Sequence, residues 1–225
     1  MALTPKPRPD GIPTPAVRRL SLYLRELEAL LDTGTQTISS RQLGETLGLS
    51  DAQVRKDLAY FGQFGQAGVG YRVEELSQEI RRILGTDRPW NVMLVGVGNL
   101  GRALLAYRGF VKKRFNMVAA FDADPALIGK HLTPDGVLVR PMREMAEVAA
   151  RMDIRLGLLC VPAPAAQSVA EQMVAAGVQA ILNFAPTTLN VPPTVAVLGV
   201  DLAVHLEQLS FHLTARDQGR PAAAE

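Results

Sequence analysis

At 225 residues, with 48% hydrophobic and 20% charged side chains, the chain is long enough for one or two buried cores and is ordinary for a globular protein. Its net charge of +2 is evenly spread, with 12 Lys/Arg against 11 Asp/Glu in residues 1–89 and the same balance in the remainder, so neither half is a basic block. No apolar run reaches the roughly 18 residues of a membrane span, and the single cysteine, Cys160, excludes an intrachain disulfide and a cysteine-based zinc cluster. A cytoplasmic protein without membrane contact is expected.

Residues 1–13 lack the apolar centre of a signal peptide and read as a loose Pro-rich tail. The stretch "TPAVRRLSLYLRELEALLDTG" predicts the first helix, with Thr14 as N-cap, Pro15 at the first helical position and Gly34 at the exit. Val17, Leu20, Leu24, Leu27 and Leu31 recur at helical spacing and predict one buried face. Ser39 with Gln42, and Ser50 with Gln53, each fit the Ser-x-x-Gln capping box, so two short helices start eleven residues apart with Gly48 at the turn. With Leu43, Leu47, Leu49, Val54 and Leu58 facing inward, this is the sequence form of a helix-turn-helix. Gly62, Gly65, Gly68 and Gly70 predict a hairpin, which makes the unit winged. "VEELSQEIRRILG" then predicts an amphipathic helix ending at Gly85, and residues 86–89 read as a linker. The winged-helix domain is set at 14–85.

In the second short helix, Gln53, Arg55 and Lys56 fall near the N-terminal end, the part of a recognition helix that meets base edges. Arginine suits guanine, glutamine suits adenine, and lysine suits either a base or a phosphate. Arg41 on the preceding helix and Arg72 beside the wing are candidate phosphate contacts. Residue types alone fit a solvated helix surface equally well, so domain context must decide.

From Asn91 the periodicity changes. "NVMLVGV", "MVAAFDA", "IRLGLLCV", "AILNFA" and "TVAVLGV" are short apolar runs without polar alternation, as expected of strands covered on both faces. Helical segments around Gly101–Arg114, Arg143–Met152 and Ala165–Ala176 separate most of them, which predicts an α/β domain with a doubly wound parallel sheet over 90–200. The last segment, 201–216, places Leu202, Leu206, Leu209 and Leu213 at a heptad-like spacing.

The turn Gly96-Val97-Gly98-Asn99-Leu100-Gly101 follows the first of these strands and opens a helix, the context a dinucleotide fingerprint requires. The first glycine permits the tight turn, the second lets backbone approach a pyrophosphate, and the third lets helix and strand pack closely. Asp122, 21 residues beyond Gly101, is placed to accept from adenosine ribose hydroxyls and to repel a 2′-phosphate, which favours NAD(H) over NADP(H). Asp124 is the competitor for that role, but it precedes Pro125 and is expected to cap the next helix.

A dehydrogenase also needs a group that moves a proton alongside the hydride. Of the three histidines, His131 lies in a loop, and His205 and His212 share one face of the last helix without a third ligand, so all read as surface or packing residues. Cys160 falls inside an apolar strand and reads as core. No catalytic or metal site is expected, and the turn reads as one that holds a cofactor without transforming it.

Together, "QVRKDLAYFGQFGQAGVGY" (53–71), "VGVGNLG", "FDADP", "NFAP" (183–186) and "VDLAVHLEQLSF" resemble the redox-sensing transcriptional repressors of the Rex family, in the family's order and over nearly the whole chain. The resemblance implies a homodimer that binds double-stranded operator DNA and is released by NADH, so that transcription follows the NADH/NAD+ ratio. It implies that the C-terminal helix crosses to the partner subunit. It also implies that Arg25, Tyr107 and Asp201 sense nicotinamide binding and link it to domain orientation, with Tyr107 at the cofactor. Two positions depart from the family's habit: Ala67 stands where a basic wing residue is common, and Ala59 where serine is usual. The first leaves wing contact weaker or passes it to Arg72. The rivals are an NAD-dependent oxidoreductase with an appended helical domain and a regulator sensing another nucleotide, such as coenzyme A.

Overall fold

The computed structural model describes residues 12–66, 68–132 and 136–217. Most of the predicted Pro-rich tail, 1–11, and Ala67 in the wing lie outside the described residues. The chain divides into two compact units, Met1–Arg88 and Pro89–Glu225.

The first unit runs α1 (Thr14–Asp32), β1 (Thr37–Ile38), α2 (Ser40–Leu47), α3 (Asp51–Ala59), β2 (Tyr71–Arg72) and α4 (Val73–Leu84). Pro13, not Thr14, is the N-cap of α1, and no side chain caps it. Neither of the first two helical positions needs an N–H, so Pro15 is accommodated one residue later than expected. The buried face is also rotated. Ala16, Leu20, Tyr23, Leu24 and Leu27 point inward, whereas Val17 is 39% exposed. Burying Tyr23 is possible because its hydroxyl finds an acceptor on α3, a contact no local pattern announces. Leu20, Tyr23, Leu24 and Leu27 pack with Leu43, Val54, Leu58, Leu76 and Ile80 in one core.

The capping box at Ser39 is complete: its Oγ accepts from Gln42 N, and Gln42 Oε1 accepts from Ser39 N. At Ser50 only half of it forms. Ser50 Oγ accepts from Gln53 N, but the Gln53 amide turns to Asp57 instead. The wing is smaller than predicted. Among the described residues of the glycine stretch one bridge joins Gln66 and Gly70, and β2 pairs antiparallel with β1, which precedes the helix-turn-helix. A side chain at Gly70 would meet Ile38 O at 2.5 Å, so this glycine is what lets the wing lie against β1.

The second unit runs β3 (Trp90–Val95), α5 (Asn99–Ala106), α6 (Gly109–Lys112), β4 (Phe115–Asp122), β5 (Val139–Pro141), α7 (Met145–Arg151), β6 (Leu156–Leu159), α8 (Ala163–Ala175), β7 (Ala180–Asn183), β8 (Ala196–Gly199) and α9 (Leu202–Asp217). The sheet is parallel throughout, in the order β5-β4-β3-β6-β7-β8. That order reverses between β3 and β6, which puts a crevice at the carboxyl ends of those two strands. Side chains alternate along β3: Met93 and Val95 join the core with α7 and α8, and Val92 and Leu94 join the core with Leu105 of α5.

Three expectations change. Strand β5, three residues long, is too short to show a pattern. The helix expected over Gly101–Arg114 breaks at Tyr107, whose ψ of 104° is extended. No helix follows Asp124; residues 125–129 are turns. No helix of the described residues is long and apolar enough to cross a membrane.

Candidate functional site

The crevice is built by the three glycines in three different ways. Gly96 has φ +95°, and a side chain there would strike the Cys160 carbonyl at 2.6 Å. A side chain at Gly101 would lie 2.1 Å from Gly96 O, so helix and turn meet through bare backbone. Gly98 differs: its φ of −73° is open to any residue, and nothing lies within 4 Å of the position a Cβ would take. Gly98 is the N-cap of α5 and offers no capping side chain, so the first N–H groups of α5 are left for an anion at the helix's positive end.

Asp122 closes this turn from the end of β4. Its Oδ2 accepts from Val97 N at 2.6 Å and its Oδ1 from Asp124 N at 2.9 Å. A carboxylate has roughly four acceptor sites, and Asp122 is only partly buried, so each oxygen retains capacity for a hydroxyl. Asp124 accepts from Ala126 N at 2.8 Å and folds the following turn. The cleft, about 720 Å3, continues past Asn99 and Leu100 to Met142, Cys160, Pro162 and Gln172. Burial pushes the Cys160 thiol up to about 12, which keeps it neutral and removes it as a nucleophile. Among the described residues no cluster of three or more His, Cys, Asp or Glu side chains could hold a metal. His131 sits at a bridge in the loop after β4, with Nδ1 2.8 Å from Gly136 O, and His212 packs against the Phe211 ring.

Tyr107, expected at the cofactor, is not among the residues that line this cleft. It is 59% exposed, packs edge-on to Phe110 at 5.0 Å, and borders a separate apolar trough of about 680 Å3. It leaves α5 at the end opposite the glycine turn, which explains the separation. The trough is lined by Val92, Phe115, Leu158, Leu182 and Leu198, and β8 is exposed along its whole length. Helix α9 presents a matching surface: Leu202, Leu206, Leu209 and Leu213 are 59–67% exposed. Asp201 Oδ1 accepts from Ala203 N and Val204 N and caps this helix. Arg25 is exposed on α1.

On the first unit, α3 buries Val54, Asp57 and Leu58 and turns Ala52, Arg55, Lys56 and Ala59 outward. Arg55 is held by Asp51 and Ser40, Arg72 pairs with Glu75 at 3.2 Å, and Arg41 is exposed on α2. Gln53, expected as an adenine reader, has its side-chain amide engaged within the domain. It sits on the flank of α3, and its Nε2 donates to Asp57 Oδ1 at 2.7 Å.

That contact belongs to a cluster the sequence reading missed. Asp57 is fully buried and also accepts from Arg19 (Nε at 2.5 Å, Nη2 at 2.8 Å) and from Tyr23 OH at 2.7 Å. Burial alone would raise the Asp57 pKa, but the bonds from Arg19, Tyr23 and Gln53 outweigh it and hold the carboxyl below its usual range. The same burial, with the Asp57 charge beside it, raises the Tyr23 hydroxyl. The cluster pins α3 to α1 by charge. An acid between Val54 and Leu58 on an inward face was the available signal, since a buried carboxylate requires partners.

Two family profiles match the chain, a putative DNA-binding protein N-terminus over residues 11–59 and a CoA binding domain over 87–187. Among curated proteins, the "Redox-sensing transcriptional repressor Rex" of Desulfitobacterium hafniense is 50% identical over 205 residues, covering 91% of this chain and 97% of that protein. The protein of the same name from Syntrophobacter fumaroxidans is 45% identical over 203 residues, covering 90% and 96%. Among solved structures, the protein RSP in complex with beta-NAD+ and operator DNA superposes with a TM-score of 0.87 at 40% identity, covering 92% of this chain and 94% of that one. RSP in complex with beta-NADH gives 0.83 at 38%, covering 92% and 97%, and RSP is described as a Rex-family repressor.

Proposed function

The chain belongs to the Rex family of redox-sensing transcriptional repressors, and from that premise we propose that it binds operator DNA as a dimer and leaves it when NADH binds. One observation carries the reading: a dinucleotide turn closed by Asp122 shares a chain with a helix-turn-helix that exposes Arg55 and Lys56. It is a regulator, not an enzyme. The CoA profile reflects a fold shared with carriers of that nucleotide. Asp122 favours a free ribose diol over a phosphorylated one.

In this reading residues 14–85 form the DNA-binding domain, 90–200 the NAD(H) domain and 201–216 the dimerisation helix, in a cytoplasmic protein. Gly96, Val97, Gly98, Asn99, Leu100 and Gly101 hold the pyrophosphate on bare backbone, and Asp122 holds the ribose. NADH and NAD+ share these contacts and differ in nicotinamide charge and hydrogen, so discrimination must come from groups near that ring. Arg55 and Lys56 meet the operator, with Arg41 and Arg72 flanking them. Helix α9 of the partner covers the apolar trough, which supports the dimer by giving both exposed surfaces an occupant. Arg25, Tyr107 and Asp201 carry the coupling. Release from DNA requires that NADH be bound more tightly by the DNA-free state, and operator DNA must then weaken NADH binding by the same factor.

The test begins by selecting duplexes from a randomised pool with the protein alone. The selected duplex is then titrated with protein in the presence of NADH, NAD+ and NADPH. NADH should weaken binding roughly 5–150-fold, with NADPH inert and NAD+ neutral or favourable. Equal affinity under all three ligands would remove the sensor reading, and turnover of NADH with a substrate would restore the oxidoreductase.

A further inference from the structure

The outward cations of α3 stand in different settings. Lys56 is exposed and has no ion-pair partner among the described residues. Arg55 is held by one nitrogen: its Nη1 donates to Asp51 Oδ2 at 2.7 Å and to Ser40 Oγ at 3.2 Å. That nitrogen has two hydrogens, and both are engaged. What remains is Nε–H and the Nη2 pair, which form the side edge of the guanidinium fork.

Two parallel donors need two neighbouring acceptors. In the major groove guanine alone presents such a pair on one base, O6 and N7; adenine sets an acceptor beside a donor, and the pyrimidines show one polar group each. A phosphate also accepts two donors, but charge separates the cases. Asp51 neutralises Arg55 where it stands, so the pair brings no net charge to the backbone, and a carboxylate beside the fork repels phosphate. Stability does not account for the pair, because its side chains are 55% and 43% exposed and exposed pairs contribute little. Ser40 opens α2 and Asp51 opens α3, so Arg55 is anchored both along its own helix and across the turn.

We propose that Asp51 and Ser40 are positioning residues that hold Arg55 by Nη1 and present its Nε–Nη2 edge to a guanine of the operator, leaving Lys56 to contact phosphate. This rests on the repressor reading above. It makes Arg55 the source of guanine specificity and Asp51 the residue that keeps it from binding all sequences alike.

The duplex selected by the wild-type protein is rebuilt with 7-deazaguanine at each guanine in turn, which removes N7 and keeps base pairing. Wild type should lose roughly tenfold at one guanine per half-site, the effect of one charge-assisted hydrogen bond. Arg55→Ala should bind more weakly and be indifferent to that replacement. Asp51→Ala and Ser40→Ala should melt like wild type and show a sensitivity cut to threefold or less. Asp51→Asn, which keeps an acceptor oxygen, should retain the sensitivity while binding all duplexes more tightly. Lys56→Ala should lower the salt slope by about one, and Arg55→Ala should leave it nearly unchanged. Full sensitivity in both Asp51→Ala and Ser40→Ala overturns the positioning role, and Ser40→Ala with Asp51→Asn decides it should Asp51→Ala not fold. An Arg55→Ala protein that keeps the sensitivity and loses a unit of salt slope makes Arg55 a phosphate contact. A wild type that selects no duplex at all refutes the repressor reading itself.

Discussion

The first unit closes on itself and the second does not. In α1 the apolar stripe is covered, with Leu20, Tyr23 and Leu27 fully buried, and the one acid beneath it, Asp57, has its acceptors filled by Arg19, Tyr23 and Gln53. In α9 the stripe is bare, β8 is exposed, and Asp122 keeps acceptor sites to spare. Buried groups that a chain satisfies internally maintain its shape. Groups left unsatisfied at this scale point to what it binds.

The hardest blow to that contrast falls on α9. Leu206→Glu with Leu209→Glu should leave the unit folded, since neither side chain is covered, but abolish the dimer. Four leucines per dimer at ~1.5 kcal/mol each give about 6 kcal/mol, a more than ten-thousandfold weaker association. Sedimentation should then find a folded monomer; a dimer would mean the helix is not the interface. Next comes Asp57→Ala, which strands Arg19 and Tyr23 and should cost about 3 kcal/mol in denaturant melts, the low end for a broken buried pair because Arg19 keeps 24% of its side chain in water. The Asp57 pKa is depressed in the fold, so its contribution is complete above the unfolded value near ~3.9 and fades as pH falls through the folded one. Wild type and variant should therefore differ equally from neutral pH down to about 5 and converge only below about 4. A gap that shrinks already at pH 6 would assign the sensitivity to another group.

Smaller effects sharpen the comparison on the ligand side. Asp122→Arg should weaken NADH and strengthen NADPH, each by about tenfold, or ~1.4 kcal/mol, in a fluorescence titration. An unchanged preference would shift the ribose role to Asp124. Asp201→Ala should cost about 1 kcal/mol through the lost cap on α9. Measured with and without saturating NADH, its operator affinity should also lose the NADH-induced ratio; a preserved ratio would reduce Asp201 to a cap.

What the sequence revealed follows from range. The glycine turn, the Ser39 capping box and the parallel strands rest on neighbours within a few residues, and all three appear in the structure. The misreadings involve partners far away in the chain. Gln53 matches a capping box but bonds to Asp57, which in turn answers to Arg19, 38 residues earlier. Tyr23 displaces Val17 from the buried face for the same reason. Strand β5 is held by its pairing with β4 and carries no pattern of its own. Tyr107 falls inside the helix expected over Gly101–Arg114, and nothing local marks the break there.

The open space at Gly98 has a genetic consequence. Gly96 and Gly101 cannot change without distorting the turn, but Gly98→Ala meets no atom and adopts an ordinary backbone conformation. Its methyl would occupy only the space where a pyrophosphate must approach. Such an allele would yield a stable protein, present at normal abundance, that occupies its operators whatever the metabolic state. In a cell carrying both alleles it would act dominantly, because its own homodimers stay on the operators when NADH releases the wild type.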